Sequence, residues 1–304
     1  MSILAQIIEH KKTEIAALDA QALRRAAEQS PTPRDFLSEL KRRRNSPLLL
    51  GEGAGVRSGP SLIAELKRAS PSKGILAPHL DLFQVADIYI RNGASAISVL
   101  TDEKFFLGKL ETLRELRFSR KSDLPLLRKD FTIDEVQLYE SRASGADAIL
   151  LIAAALTDDK LFVDLHAAAL ELGLTPLVEV HNEAETERAL KLKDVKLIGI
   201  NNRNLATFDV TLETTKKLRP MIPPEISVVA ESGIFTASDV ERLSKANVDA
   251  ILVGEALVTS EDIPAKVREL SGFPVIASPS RASGEAISNI VTEIASSGKA
   301  PSSQ

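Results

Sequence analysis

Four ionisable residues stand where short apolar runs of this 304-residue chain end: Lys67, Lys129, Glu179 and Glu231. Two ammonium groups and two carboxylates are the equipment of acid–base catalysis, which needs a proton donor and a proton acceptor in one place. The first of them lies in SLIAELKRASPSKG, residues 61–74. Strand side chains alternate, so Ile63, Glu65 and Lys67 point one way while Leu62, Ala64 and Leu66 point the other. In a parallel sheet covered on both faces both sets are normally apolar, and burying an ion costs several kcal/mol unless it is paired. A structural Glu–Lys pair or an edge strand would explain this stretch by itself. The loop that follows, with Arg68, Ser70, Ser72, Lys73 and Gly74, is polar and basic and suits an anionic ligand. Residues 70–78 are a candidate lid.

The elements that must position these residues repeat. Apolar runs at 61–67, 95–100, 125–129, 147–152, 174–180, 196–200, 226–230 and 249–253 alternate with helical segments. Those segments are expected at 80–92, 109–119, 134–144, 157–172, 182–192, 212–219, 236–246 and 262–270. Thr157-Asp158-Asp159 and Thr236-x-Ser238-Asp239 are helix starts, and Gly93, Gly145 and Gly173 sit where C-terminal caps belong. Strand–helix alternation implies a parallel sheet. Eight units between residues 61 and 270 predict an α/β fold, a closed (β/α)₈ TIM barrel. An open doubly wound sheet is the rival, but its glycine-rich turn after the first strand is missing. Before the barrel, residues 3–28 and 33–44 predict a two-helix N-terminal extension. Thr32-Pro33 reads as the second helix's cap and first residue, and 45–60 as a connector. The Ser-, Ala- and Gly-rich stretch 271–304 is expected to be a disordered tail.

Active sites of such barrels lie at the C-terminal strand ends. There stand Glu65 and Lys67, Lys129, Glu179, Asn201 and Arg203, Glu231, and Gly254-Glu255. Lys67, Lys129, Glu179 and Glu231 come from odd-numbered strands, whose inward side chains share a layer. A salt-bridge network closing the barrel is the structural alternative. Four such groups on one rim, beside Glu65 and Arg203, point instead to a site. Arg128 faces away from the interior and is expected to be structural. Ser232-Gly233 and Gly254-Glu255 follow the last two strands, where barrels build phosphate sites from backbone N–H groups.

Composition narrows the chemistry. Apolar residues make up 44% and the net charge is −4, which allows a large core and gives no electrostatic case for nucleic acid or an anionic membrane. With no Cys and four His in no ligand spacing, neither a metal nor a thiolate nucleophile is expected. The longest uncharged apolar run, 148–156, falls well short of the roughly 20 residues of a membrane span. Acidic Glu9, Glu14 and Asp19 at the N-terminus argue against a targeting peptide. The expected compartment is the cytoplasm, and the expected partner is a small molecule.

The chain resembles the indole-3-glycerol phosphate synthase family. The segments that carry the resemblance are IAELKRASPS (63–72), TDEKFF (101–106), LRKDF (127–131), LVEVH (177–181), IGINNRN (198–204), AESGI (230–234) and LVGE (252–255). It implies cofactor-free conversion of 1-(o-carboxyphenylamino)-1-deoxyribulose 5-phosphate to indole-3-glycerol phosphate, with loss of CO₂ and water, in tryptophan biosynthesis. By resemblance Lys129 is the acid for ring closure, and desolvation near another cation is expected to lower its pKa. Glu179 is the base for dehydration, and Lys67 binds an anionic group or is the second acid. Glu65, Asn201, Arg203 and Glu231 orient the substrate or tune the lysines. Ser70, Ser232, Gly233, Gly254 and Glu255 match substrate- and phosphate-binding positions, Glu255 through its backbone. Phe106 and Phe131 match positions beside the anthranilate ring. The resemblance also places the N-terminal extension at the substrate mouth. A monomer is expected, with oligomers left open. The rivals are a phosphosugar isomerase, a Schiff-base aldolase using Lys129, and a non-catalytic binding protein on the same fold.

Overall fold

The computed structural model describes residues 2–44, 59–70, 74–76, 80–205 and 207–273. Most of the connector, much of the candidate lid and nearly all of the 271–304 stretch lie outside the described residues. Eight parallel strands close in chain order: β1 (Ser61–Leu66), β2 (Ala96–Leu100), β3 (Leu126–Lys129), β4 (Ala148–Ile152), β5 (Thr175–Val180), β6 (Leu197–Asn201), β7 (Ser227–Glu231) and β8 (Ala250–Val253). β1 pairs with β2 on one side (Ile63 with Ala96) and with β8 on the other (Ser61 with Ala250). This is the expected TIM barrel.

Alternation sorts the side chains into two cores. Leu62, Ala64 and Leu66 pack outward with residues of the surrounding helices. Ile63, Leu127, Leu177 and Val229 point inward and are fully buried. The helices begin where their caps allow. Asp158 accepts the Lys160 N–H at 2.8 Å, and Thr236 with Asp239 forms a capping box. Gly93, Gly145 and Gly173 take φ of 103°, 84° and 74°, the left-handed termination expected of them.

Two local expectations need correction. The stretch 3–28 is not one helix. It divides into α1 (Ile3–Ile15) and α2 (Ala20–Gln29), because the Asp19 carboxylate caps a new start by accepting the Ala22 N–H at 2.9 Å. The following helix, α3 (Phe36–Arg44), starts after Asp35 rather than Thr32. Asp35 accepts the Ser38 N–H at 2.8 Å, while the Thr32 carbonyl accepts from Arg117. Two features carried no strong periodic signal and were not anticipated: one-turn helices at Glu103–Phe106 and Glu255–Val258, and a two-residue antiparallel pairing of Ala69–Ser70 with Gly74–Ile75.

The N-terminal extension is bolted to the barrel floor through Asp147, which is fully buried. Its two oxygens accept the Arg34 N–H at 2.6 Å and the Leu126 N–H at 2.8 Å, and Arg117 Nη1 lies 3.2 Å away. Removing one partner of a buried ionic cluster leaves uncompensated charge. Asp147→Ala should therefore cost about 3 kcal/mol or more of folding free energy, read as the shift in a urea denaturation midpoint.

Candidate active site

The strand register puts four ionisable side chains on one plane. Glu65 pairs along the hydrogen-bonding row with Ser98, then Leu127, Ala148 and Thr175. Barrel closure staggers the row by about eight residues over eight strands, so a plane normal to the axis advances about one residue per strand. The plane through Glu65 meets Lys129, Glu179 and Glu231. One residue lower the even strands supply Ser98, Leu150, Gly199 and Leu252. Below those lies the apolar layer of Ile63, Leu127, Leu177 and Val229.

The expected quartet is thus corrected in one member. Lys67 lies two positions beyond Glu65, past the end of β1, and stands above the plane rather than in it. Its Nζ is 2.7 Å from Glu65 Oε1. Lys129 is the centre of the layer, with Nζ 2.9 Å from Glu179 Oε2 and 3.2 Å from Glu231 Oε2. The three glutamates are 2–4% exposed, so their charges are screened little by water.

Two glycines make room for this layer. A Cβ at Gly199 would overlap the Glu231 carboxylate from below, and one at Gly254 would lie 2.5 Å from Glu65 Oε1. Neither position could carry a larger residue without displacing a carboxylate.

Proton affinities follow from the packing. Burial works against a charged Lys129, but Glu179, Glu231 and Glu65 outweigh it and hold the ammonium well above the ordinary lysine range. The expected lowering by a neighbouring cation is therefore wrong in sign, because Lys67 is occupied by Glu65 and carboxylates flank Lys129. Burial pushes Glu179 up, yet Lys129 and His181 more than reverse this and hold it far below the usual carboxylate range. Burial, with help from Glu179 and Glu65 and against the pull of Lys129, raises Glu231 to about 7. The layer thus contains a charged ammonium, an ionised carboxylate, and a carboxyl whose pKa is raised to about 7.

His181 was not singled out as a site residue. Its Nε2 is 3.2 Å from Glu179 Oε1 and its Nδ1 is 2.9 Å from Glu185 Oε2. Burial disfavours its charge, but the two carboxylates lift its pKa to about 10. The signal was present in the spacing: Glu179 and His181 are two apart and share the inward face. Asn202 was likewise missed. It is 1% exposed, donates to the carbonyls of Glu231 and Ser232 at 3.0 and 3.1 Å, and accepts from Thr215. It holds the turn in which Ser232 and Gly233 adopt φ of 65° and 77°, a shape unfavourable for serine.

The remaining expected residues gather round the same cavity. Asn201 Nδ2 donates to Glu179 Oε1 at 3.2 Å. Arg203, Ser232, Gly233, Gly254, Glu255, Phe106 and Phe131 line the mouth. The Glu255 side chain is turned toward Arg203, with Oε2 3.8 Å from Nη2. Phe106 and Phe131 pack with ring centroids 6.0 Å apart. From the extension, Ile3, Leu4 and Ile7 of α1 complete the wall. Arg128 points away from the interior as expected, bound to Glu140 at 2.7 Å and Asp130 at 3.2 Å. The Ser70 side chain lies outside the described residues. Among the described residues no helix is long and apolar enough to cross a membrane.

Comparison with known proteins bears on the family and the fold. Residues 4–270 match the family described as indole-3-glycerol phosphate synthase. Curated proteins of that name include one from Desulforamulus reducens, 47% identical over 273 residues, covering 88% of this chain and 96% of the relative. One from Roseiflexus sp. (strain RS-1) is 48% identical, covering 89% and 98%. One from Dehalococcoides mccartyi (strain ATCC BAA-2266 / KCTC 15142 / 195) is 56% identical over 210 residues, covering 69% and 80%. Solved structures share the fold at low identity. The 3-hexulose-6-phosphate synthase from Salmonella typhimurium has a TM-score of 0.57 at 14% identity, covering 70% of this chain and 97% of that one. A chain of the tryptophan synthase complex from Pyrococcus furiosus has 0.51 at 18%, covering 70% and 98%.

The raised Glu231 has a consequence for stability. Between an unfolded pKa of about 4.3 and a folded one of about 7, the folded state binds the proton more tightly. The stability this group contributes is fully present below the lower value and is lost as pH rises through the upper one. Glu231→Gln should melt higher than the parent at pH 8, and the difference should shrink at pH 4, as followed by thermal denaturation at both values.

Proposed function

Because the chain belongs to the indole-3-glycerol phosphate synthase family, we propose that its ionic layer carries out that family's ring closure, decarboxylation and dehydration. The carrying observation is the placement of a charged Lys129 between Glu179 and Glu231 at the floor of a cavity with aromatic walls. The anthranilate ring is taken up beside Phe106 and Phe131. The phosphate is held by the Ser232–Gly233 and Gly254–Glu255 turns, with Arg203 adding charge. Lys67 neutralises the substrate carboxylate until it departs.

Closure begins when the ring carbon bearing the carboxylate bonds to the ribulosyl carbonyl carbon. That carbonyl oxygen gains negative charge, and Lys129 donates a proton to it. The bond to the carboxylate then breaks, CO₂ leaves, and the electron pair restores ring conjugation. In dehydration the new hydroxyl departs as water on a proton from Lys67, and Glu179 removes the proton that completes the indole. Two protons are given and one is taken, so the reaction consumes one, as loss of CO₂ from a carboxylate requires.

A lysine whose carboxylate neighbours raise its pKa is a weaker acid than one tuned downward, but it is protonated at every working pH. Asn201 fixes one oxygen of Glu179 while Lys129 holds the other, so the base is oriented before substrate arrives. The working unit is taken as the monomer, acting in the cytoplasm.

Purified protein mixed with the carboxyphenylamino-deoxyribulose phosphate should show a rise of indole fluorescence. Lys129→Ala and Glu179→Gln should each lower turnover by about 10²-fold or more, as expected for the loss of an acid or a base. Unchanged turnover in either variant would reject its assignment.

A further inference from the structure

α1 is an amphipathic helix lying across the barrel mouth, yet one of its lysines is buried. Lys11 is 3% exposed. Its Nζ lies 2.9 Å from Asp130 Oδ1, 3.0 Å from Asp102 Oδ2 and 2.7 Å from Glu14 Oε2. An ammonium withdrawn from water is stable only with such partners, and they keep it charged.

Of the two barrel carboxylates that meet Lys11, Asp130 holds a cavity aromatic directly and Asp102 caps the short turn that carries the other. Asp102 caps the helical turn Glu103–Phe106, its Oδ1 accepting the Phe105 N–H at 2.7 Å. Its other oxygen takes no hydrogen bond and faces Lys11 as an ion pair. Asp130 accepts the Phe131 N–H at 2.8 Å and is braced by Thr101 at 2.6 Å and Arg128 at 3.2 Å. Phe106 and Phe131 are the two rings in contact at the mouth. One turn before Lys11 on α1, Ile7 lines the same cavity. A single ammonium thus joins three separate chain segments, and each of them contributes an apolar wall residue.

We propose that Lys11 is a positioning residue that assembles the wall receiving the aryl end of the substrate, while the ionic layer and the phosphate turns stand independently of it. This rests on the synthase reading above. Lys11 touches neither Lys129 nor the phosphate turns in the ion pairs and hydrogen bonds described. Its loss should weaken recognition of the ring and leave recognition of the phosphosugar intact.

The test uses Lys11→Met, which keeps the stem and removes the charge, and Lys11→Arg, which restores the charge. kcat/KM is measured for the carboxyphenylamino-deoxyribulose phosphate, and the inhibition constant is measured for ribitol 5-phosphate, which has phosphate and sugar chain but no ring. The expected result is a fall of about tenfold in kcat/KM for Lys11→Met, the size of a modest loss of apolar complementarity. The inhibition constant should be unchanged, and Lys11→Arg should recover most of the loss. An unchanged kcat/KM in folded Lys11→Met, or an equal loss of ribitol 5-phosphate affinity, would overturn the proposal. If Lys11→Met does not fold, Asp102→Asn, which cuts only the Phe106 branch, takes its place with the same two readouts and the same criteria. Turnover by the parent protein is the separate control: its absence would reject the synthase reading rather than the role of Lys11.

Discussion

The structure depends on one unfavourable act, the burial of an ammonium group inside a barrel whose other interior layers are largely apolar. Lys129 can stay charged there only because Glu179 and Glu231 lie within 2.9 and 3.2 Å of it. The remaining constraints follow. The carboxylates need space, which Gly199 and Gly254 leave. Three glutamates around one lysine cannot all be fully neutralised by it. One of them, Glu231, is pushed up to about 7, and another, Glu65, takes Lys67 as its own partner. Hydrophobic residues of similar volume would make a more stable layer. Ionic groups at this level make sense as preorganised chemistry, held at fixed distances before substrate arrives.

The scaffold spends its regular packing on holding this layer level. Register and stagger carry the inward residues of β1, β3, β5 and β7 to one plane. The turn after β7 is then shaped by a buried Asn202 and by left-handed backbone at Ser232 and Gly233, and the turn after β8 by Gly254, whose missing side chain leaves room for Glu65. The extension is fastened at both ends of the barrel: at the floor through Asp147 with Arg34, and at the mouth through Lys11 with Asp102 and Asp130. Its first helix therefore belongs to the cavity wall as well as to the outer coat.

Much of this was legible in the sequence because period-2 alternation and strand-end position are local properties. Glu65, Lys129, Glu179 and Glu231 could be placed on inward faces from spacing alone. What spacing could not show was the level. Lys67 shares a face with Glu65 but stands two residues higher, and only the register of neighbouring strands reveals which of the two joins the layer. The sign of the Lys129 shift was lost for the same reason, since it depends on which charge is nearest. The break between α1 and α2 turned on one capping aspartate inside an otherwise continuous pattern. The local pattern around Lys11 carries no sign of its burial, because its two barrel partners are some 90 and 120 positions away in the chain. His181 was the one omission that spacing could have prevented.

The most direct test of the central claim is the titration of Lys129 itself. Lysine labelled at Cε can be followed by NMR, with the Lys129 signal assigned from its absence in Lys129→Arg. The account predicts that Lys129 keeps its proton up to the ordinary lysine pKa of about 10.4, its signal showing only the small step of Glu231 ionising beside it near 7. A midpoint two or more units lower would mean that Lys129 is neutral in much of the resting protein, and would contradict the charged acid on which the account rests.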